Sequence, residues 1–202
     1  MFARLTTLHG DPNRMDICVD QVDGETRAAV EATPGNRGFA VLSDPSRVRV
    51  LGISYWDGRT SLRASEGTLG SLRDAAAATF GGDLEMERYE LLVGIRHTIP
   101  RRDSVVRLTR MRVSPSRLDE AEVFMFEEVL TRVKGADGLC SFQLLRDRET
   151  GHGITLTAWE RQRDAEAFAP VAEQLRVRAG DRVGLRWDPP RTYLMVRSTV
   201  QL

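Results

Sequence analysis

Residues 2–9, FARLTTLH, and residues 105–113, VVRLTRMRV, share the run Arg-Leu-Thr at an offset of 103 positions. Carried along the chain without a gap, that offset sets Pro12, Arg14 and Asp16 on Pro115, Arg117 and Asp119. Gly35, Phe39, Leu42 and Asp44 fall on Gly138, Phe142, Leu145 and Asp147. Further on, Trp56 meets Trp159, Leu72-Arg73 meets Leu175-Arg176, and Arg88, Leu91 and Val93 meet Arg191, Leu194 and Val196. Between residues 2 and 93 the halves agree at 21 positions. The chain therefore holds two copies of one unit, and self-similarity of this kind constrains the fold before any local reading. The expected domains are residues 1–94 and 105–202, joined by a short polar linker over 95–104.

Each copy reads as β-α-β-β-α-β. The opening strands are rich in β-formers and partly alternate. After Pro12 and Pro115, the stretches Asn13–Asp16 and Ser116–Asp119 have the pattern of helix caps, a short polar acceptor followed by an acid. In the second copy Leu118, Ala121, Met125, Val129 and Val133 make an apolar stripe at helical spacing. Gly35 and Gly138 are placed to stop these helices, near Ala32 and Lys134. Two strands follow, at about 38–42 with 48–56 and 141–145 with 153–159. A second helix covers about 61–80 and 163–179, and a last strand about 88–93 and 192–200. The order is that of the split βαβ, ferredoxin-like unit. Such a unit covers one sheet face with helices and leaves the other bare. Two copies can bury their bare faces together, so the expected fold class is α+β, two ferredoxin-like repeats fused into a pseudo-dimeric α+β barrel. One chain carries both halves, so a monomer is sufficient, and further pairing into a homodimer through outer strands or helices stays open.

Composition narrows the partners. The chain has 202 residues, 41% apolar and 29% charged, with 29 basic and 29 acidic side chains. Zero net charge provides no field to gather nucleic acid or anionic lipid, and neither is an expected partner. No apolar run reaches the length of a membrane span, and the first residues lack a signal core. The two cysteines, Cys18 and Cys140, have no metal-like spacing. Two lone thiols suit a reducing compartment, so the expected location is the cytoplasm.

The stretches SYWDGRTSLRAS (54–65) and TAWERQRDAEAFA (157–169), each a strand ending in Trp and an acid and running into a helix, resemble antibiotic biosynthesis monooxygenase-like domains of the dimeric α+β barrel superfamily. Nearly the whole chain shares the resemblance, as two tandem domains. It implies a small-molecule enzyme, a cofactor-independent monooxygenase acting on an aromatic or hydrophobic substrate held between sheet and helices. It equally admits a non-catalytic binding or stress-associated protein of the same fold. A third branch of the superfamily degrades heme. Its pattern has an asparagine before the Arg-Leu of the first strand, where this chain has Ala3 and Val106. It also has a second tryptophan and a histidine on the following helix, and neither stretch 61–80 nor stretch 164–181 contains one. An iron needs such an axial donor, so this branch is disfavoured. No cofactor is expected.

Candidate chemistry is sparse. Of three histidines, His97 lies in the linker and His152 in a turn, while His9 ends the first strand, where a neutral imidazole can move a proton. No metal-binding spacing occurs. His9, Tyr55 and Tyr89 are the catalytic candidates, all in the first copy, whose pocket reads as the more polar. Trp56 and Trp159 either pack the core or wall a pocket against a flat ligand. Ser65 and its counterpart Phe168 lie on the second helix. Arg4 and Arg107 sit in half-apolar strands. A buried guanidinium needs a partner, either a nearby acid such as Asp16 or Glu90, or a substrate oxygen gripped by its planar fork. The substrate-binding candidates are thus Arg4, Trp56, Ser65, Arg107, Trp159 and Phe168.

Overall fold

The computed structural model describes residues 1–201. The first copy runs β1 (Phe2–His9), α1 (Met15–Gln21), α2 (Arg27–Ala32), β2 (Asn36–Asp44), β3 (Arg49–Trp56), α3 (Arg59–Phe80) and β4 (Leu84–Arg96). The second runs β5 (Val105–Arg112), α4 (Leu118–Phe124), α5 (Thr131–Val133), β6 (Leu139–Arg146), β7 (His152–Trp159), α6 (Gln162–Val183), β8 (Arg186–Trp187) and β9 (Arg191–Ser198). The offset of 103 carries β1 onto β5, β3 onto β7 and α3 onto α6 end for end. The fold is α+β. Its strands pair in the order β7-β6-β4-β1-β3-β2-β9-β5-β8, and β7 also pairs with β5, which closes an antiparallel barrel.

The chain divides into two compact units. Unit 1 takes residues Met1–Glu90, Arg101–Asp103 and the stretch from Tyr193. Unit 2 takes Leu91–Pro100 and Ser104–Thr192. In unit 1, β1 lies between β3 and β4, and β2 pairs with β3 and β9. Its helices seal one sheet face: Cys18, Val22, Val30, Leu62, Leu69, Ala76 and Phe80 cluster with Leu8, Phe39, Val41, Val50 and Trp56. In unit 2, β7 lies between β5 and β6, and Phe124, Val129, Val133, Leu175 and Val183 pack on Phe142, Leu144 and Trp159.

Some local readings need correction. The first helix starts earlier than its expected cap. The Asp11 carboxylate accepts from the Asn13 backbone N–H at 2.8 Å and opens a 3-10 turn, Pro12–Arg14, that leads into α1. Proline fits that turn because its missing N–H would be unpaired there anyway. β4 begins at Leu84, well before residue 88, and continues to Arg96. Its Glu85, Glu87 and Arg88 are surface charges that hide the strand in the sequence pattern. The helix stops fall where expected. Gly35 and Gly138 have φ of 82° and 73°, a region costly for side chains. Both copies also carry one π turn, Val22–Thr26 and Met125–Leu130, within the first helical stretch.

Candidate functional site

Strand register decides which side chains can meet. Side chains alternate across a strand, and cross-strand partners share a face. Arg4 pairs with Ser54 and Arg88, and Phe2 with Trp56. These positions face α3. Ala3 pairs with Tyr55 and Tyr89, so both tyrosines lie on the opposite face. That face is also closed: Ala3, Leu5, Leu51, Ile53 and Tyr55 are at most 1% exposed.

Under α3, unit 1 holds a cavity of about 30 Å³ lined by Arg4, Thr6, Leu8, Phe39, Ser54, Leu69 and Arg73 among others. On that measure one water needs about 10–15 Å³, so the cavity takes roughly two. Arg4 is 2% exposed. Its Nη2 donates to the Leu62 carbonyl at 2.6 Å and lies 3.5 Å from Glu66 Oε1. Its guanidinium stands 5.9 Å from the Trp56 ring centre, a cation–π distance. Arg88 Nε donates to the same Glu66 oxygen at 2.7 Å, and Arg73 donates to the Glu66 backbone carbonyl at 3.3 Å. One carboxylate thus sits among three guanidiniums. Burial first, and the charge of Arg73 second, lower the Arg4 pKa to about 10, against the pull of Glu66. For Glu66, burial opposes ionisation, but the Arg88 hydrogen bond and the charges of Arg88, Arg4 and Arg73 outweigh it and hold its carboxyl below the usual range.

Unit 2 has a larger cavity in the corresponding place, about 70 Å³, between its sheet and α6. Arg107, Thr109 and Thr157 floor it; Trp159, Phe168 and Trp187 wall it. Three positions of α6 open it. Ala165, Ala169 and Ala172 stand where α3 has Leu62, Glu66 and Leu69. Trp159 and Phe168 hold each other with ring centres 5.3 Å apart and planes at 37°. Trp159 Nε1 donates to Thr157 Oγ1 at 2.9 Å, which fixes the indole. Two buried donors beside the cavity, Arg107 Nε and Trp187 Nε1, have no hydrogen-bond partner. Arg176 also lines it, but donates two bonds to the exposed Glu173.

Searched against family models, the chain matches none. Among curated proteins it is 28% identical, over 189 residues, to the uncharacterized protein Rv2557 of Mycobacterium tuberculosis (91% of this chain, 84% of that one). Among solved structures it superposes on a protein from Lactobacillus acidophilus NCFM provisionally named a monooxygenase, with a TM-score of 0.73, 10% identity and coverage of 99% and 96%. It also matches an anthrone oxidase-like protein with a TM-score of 0.69, 16% identity and coverage of 98% and 92%. The chain shares the fold of these proteins, two ferredoxin-like α+β repeats in tandem.

Within that tandem fold, the sequence candidates separate. Arg107, Trp159 and Phe168 come together in the unit 2 cavity. Arg4 lines the unit 1 cavity. Trp56 is fully buried beside it, its Nε1 donating to Ser54 Oγ at 3.0 Å. Ser65 is fully buried too, and its hydroxyl donates to the Leu62 carbonyl of its own helix at 2.7 Å. The trio His9, Tyr55 and Tyr89 does not line either of these cavities. His9 pairs with Arg49, six residues along β3 from Tyr55, which is about 20 Å of strand. Its nearest acid is Glu85, at 4.0 Å. Tyr89 donates to Glu87 Oε1 at 2.9 Å. The first copy does hold a polar cavity, formed without this trio, and the second holds a larger, partly aromatic one. Arg176 and the three alanines were missed. The signal for them was present in the offset alignment, as Glu66 against Ala169. No helix of the described residues is long and apolar enough to cross a membrane. Among the same residues, no three His, Cys, Asp or Glu side chains group as a metal site would need.

Proposed function

We propose that this chain binds a small aromatic or hydrophobic molecule in the unit 2 cavity and oxidises it as a monooxygenase, with electrons supplied by the substrate. The observation that carries this reading is the cavity between sheet and helix, with tryptophan and phenylalanine walls and a partnerless Arg107 Nε. Aromatic walls stack on a flat substrate. The cavity of about 70 Å³ takes roughly five waters, so a substrate of two or more rings requires side chains along α6 to move aside. The superposed structures include one provisionally named a monooxygenase and an anthrone oxidase-like protein, and their names supply the reaction class. In an anthrone-type conversion a ring methylene loses two hydrogens and gains one oxygen atom from O2. The other oxygen atom leaves as water with those two hydrogens. Arg107 would stabilise the negative charge that develops on the substrate oxygen as the methylene gives up its proton.

The test is oxygen consumption with anthrone as the probe, followed with the rise of the quinone absorbance. Turnover should fall at least about tenfold in Trp159→Ala and in Arg107→Gln. Anthrone that binds without turning over would leave the second reading, a non-catalytic binding protein. One observation favours that alternative: no His, Tyr, Asp or Glu lines the cavity, so the usual proton acceptors are missing from its wall. A single chain suffices for either reading. Cys18 and Cys140 are both buried thiols outside any disulfide, which suits a reducing cytoplasm. Burial pushes the Cys18 thiol up to about 12, which keeps it neutral and unreactive.

A further inference from the structure

The two cavities differ by one charge. At Arg4, Glu66 provides a carboxylate shared with Arg88. At the matching place of α6 stands Ala169, yet all three arginines persist, as Arg107, Arg176 and Arg191. Glu173 engages Arg176 and is largely exposed. Both Arg4 and Arg107 have a buried Nε without a hydrogen bond, but Arg4 has Glu66 beside it and Arg107 has no ion-pair partner among the described residues. Arg107 is only partly exposed, and a guanidinium with its Nε shut off from water and no counter-ion beside it is left under-compensated. In addition, α6 lacks the two leucines that fill this space in unit 1, and Trp187 presents an idle Nε1 donor at the same cavity. The charge, the space and the donor concern the same small volume.

Resting on the cavity as the binding site, we propose that its ligand is a planar aromatic anion, a carboxylate or phenolate. The charged oxygen takes at Arg107 the position that Glu66 takes at Arg4. Unit 1 thus carries its own internal copy of the ligand's charged group, and unit 2 leaves that position to a molecule from outside. A guanidinium fork matches two oxygens of a carboxylate, and such bonds are about twice as strong as neutral ones. The ring then lies between Trp159, Phe168 and Trp187.

The probes are 2-naphthoate and its neutral isostere 2-naphthamide, titrated calorimetrically into the full chain at pH 7 and low salt. Naphthoate should bind at least about tenfold more tightly, as expected for a charged against a neutral hydrogen-bonded group. Arg107→Gln should erase that preference, with naphthoate losing far more affinity than naphthamide, while Arg107→Lys keeps part of it. Ala169→Glu places the unit 1 carboxylate in the cavity and should abolish naphthoate binding. It also serves if Arg107→Gln folds poorly, since it adds an ion pair instead of removing a charge. Equal binding of the two probes would overturn the anion assignment and leave the cavity as a neutral aromatic site. Binding of neither would overturn both that assignment and the proposed function. Naphthoate binding that survives Ala169→Glu would also overturn it, because the anion would then sit elsewhere.

Discussion

Unit 1 and unit 2 are built from the same plan, and they differ where α3 and α6 face their sheets. Leu62, Glu66 and Leu69 fill that space in unit 1; Ala165, Ala169 and Ala172 leave it open in unit 2. A duplicated fold has two chances to hold a site and needs one scaffold. Here one copy has the smaller cavity, about 30 Å³, and pairs its arginine with its own carboxylate, while the other has aromatic walls, about 70 Å³ and no carboxylate. On the proposed reading, stability and binding are divided between copies of the same unit.

The largest test of that division is the tryptophan pair. Trp56 is fully buried with filled surroundings, and Trp56→Ala should cost about 3–5 kcal/mol, the range for truncating a core aromatic. Trp159 already borders empty space, so Trp159→Ala should fall near the low end of the same range. Urea unfolding of both variants measures it. A larger loss at Trp159 would mean that unit 2 is the better packed copy, against the comparison.

The arginines come next, and here the two copies should differ in sign. Arg4→Met removes the Leu62 and Glu66 contacts, although the Leu62 carbonyl keeps its bond from Ser65, an expected loss of about 1–3 kcal/mol. Arg107→Met removes a charge that has no counter-ion among the described residues, so stability should hold or rise, while any anion affinity is lost. Thermal unfolding at one ionic strength separates the two. Equal losses would show that Arg107 contributes to folding as Arg4 does.

A smaller effect follows from filling the cavity. Ala172→Leu restores in α6 the leucine that α3 has at Leu69. Cavity filling of this kind adds about 0.5–2 kcal/mol. Naphthamide and naphthoate should both lose affinity, because the added side chain takes the ring's volume. A variant that is less stable than the parent would show that the space is narrower than unit 1 suggests.

Much of this was legible beforehand, and the failures have physical causes. The duplication, the β-α-β-β-α-β order and the glycine stops at Gly35 and Gly138 follow from spacing alone. Arg107, Trp159 and Phe168 could be grouped because they lie within one strand pair and the helix that follows it. Tyr55 and Tyr89 could not be assigned a face. All of β3 after Arg49 is buried on both sides, so the alternation that marks an inner face is absent from its sequence. Only the register of β1 with β3 reveals that Tyr55 sits with Ala3 and away from Arg4. His9 illustrates a second limit: a strand end identified in sequence does not say which strand end lies near a cavity. The cavity itself came from three alanines, and small residues on a helix carry little signal until they are set against the leucines and glutamate of the other copy.

The finest contrast concerns acid. The Glu66 carboxyl is held below the ordinary glutamate value of 4.5 in the folded chain. A group with a depressed folded pKa contributes stability that is fully present above its unfolded pKa and is lost as pH falls through the folded one. The Glu66 contribution should therefore be intact at neutral pH and fade below about pH 4.5, as the carboxyl takes up a proton and the three arginines lose their shared anion. Glu66→Gln removes that limb, so the variant should start less stable at pH 7 and converge on the parent as the acid range is entered. The carboxylate is about a third exposed, so solvent screens the pair and the difference should be the smallest of the set. Ala169 provides the control, because Ala169→Glu in unit 2 should create the same acid limb where none exists. If it does, the arginines of the two copies are equivalent and the charge at this one helical position separates them. If it does not, Arg107 is oriented away from α6, and the cavity must take its ligand by its aromatic walls alone.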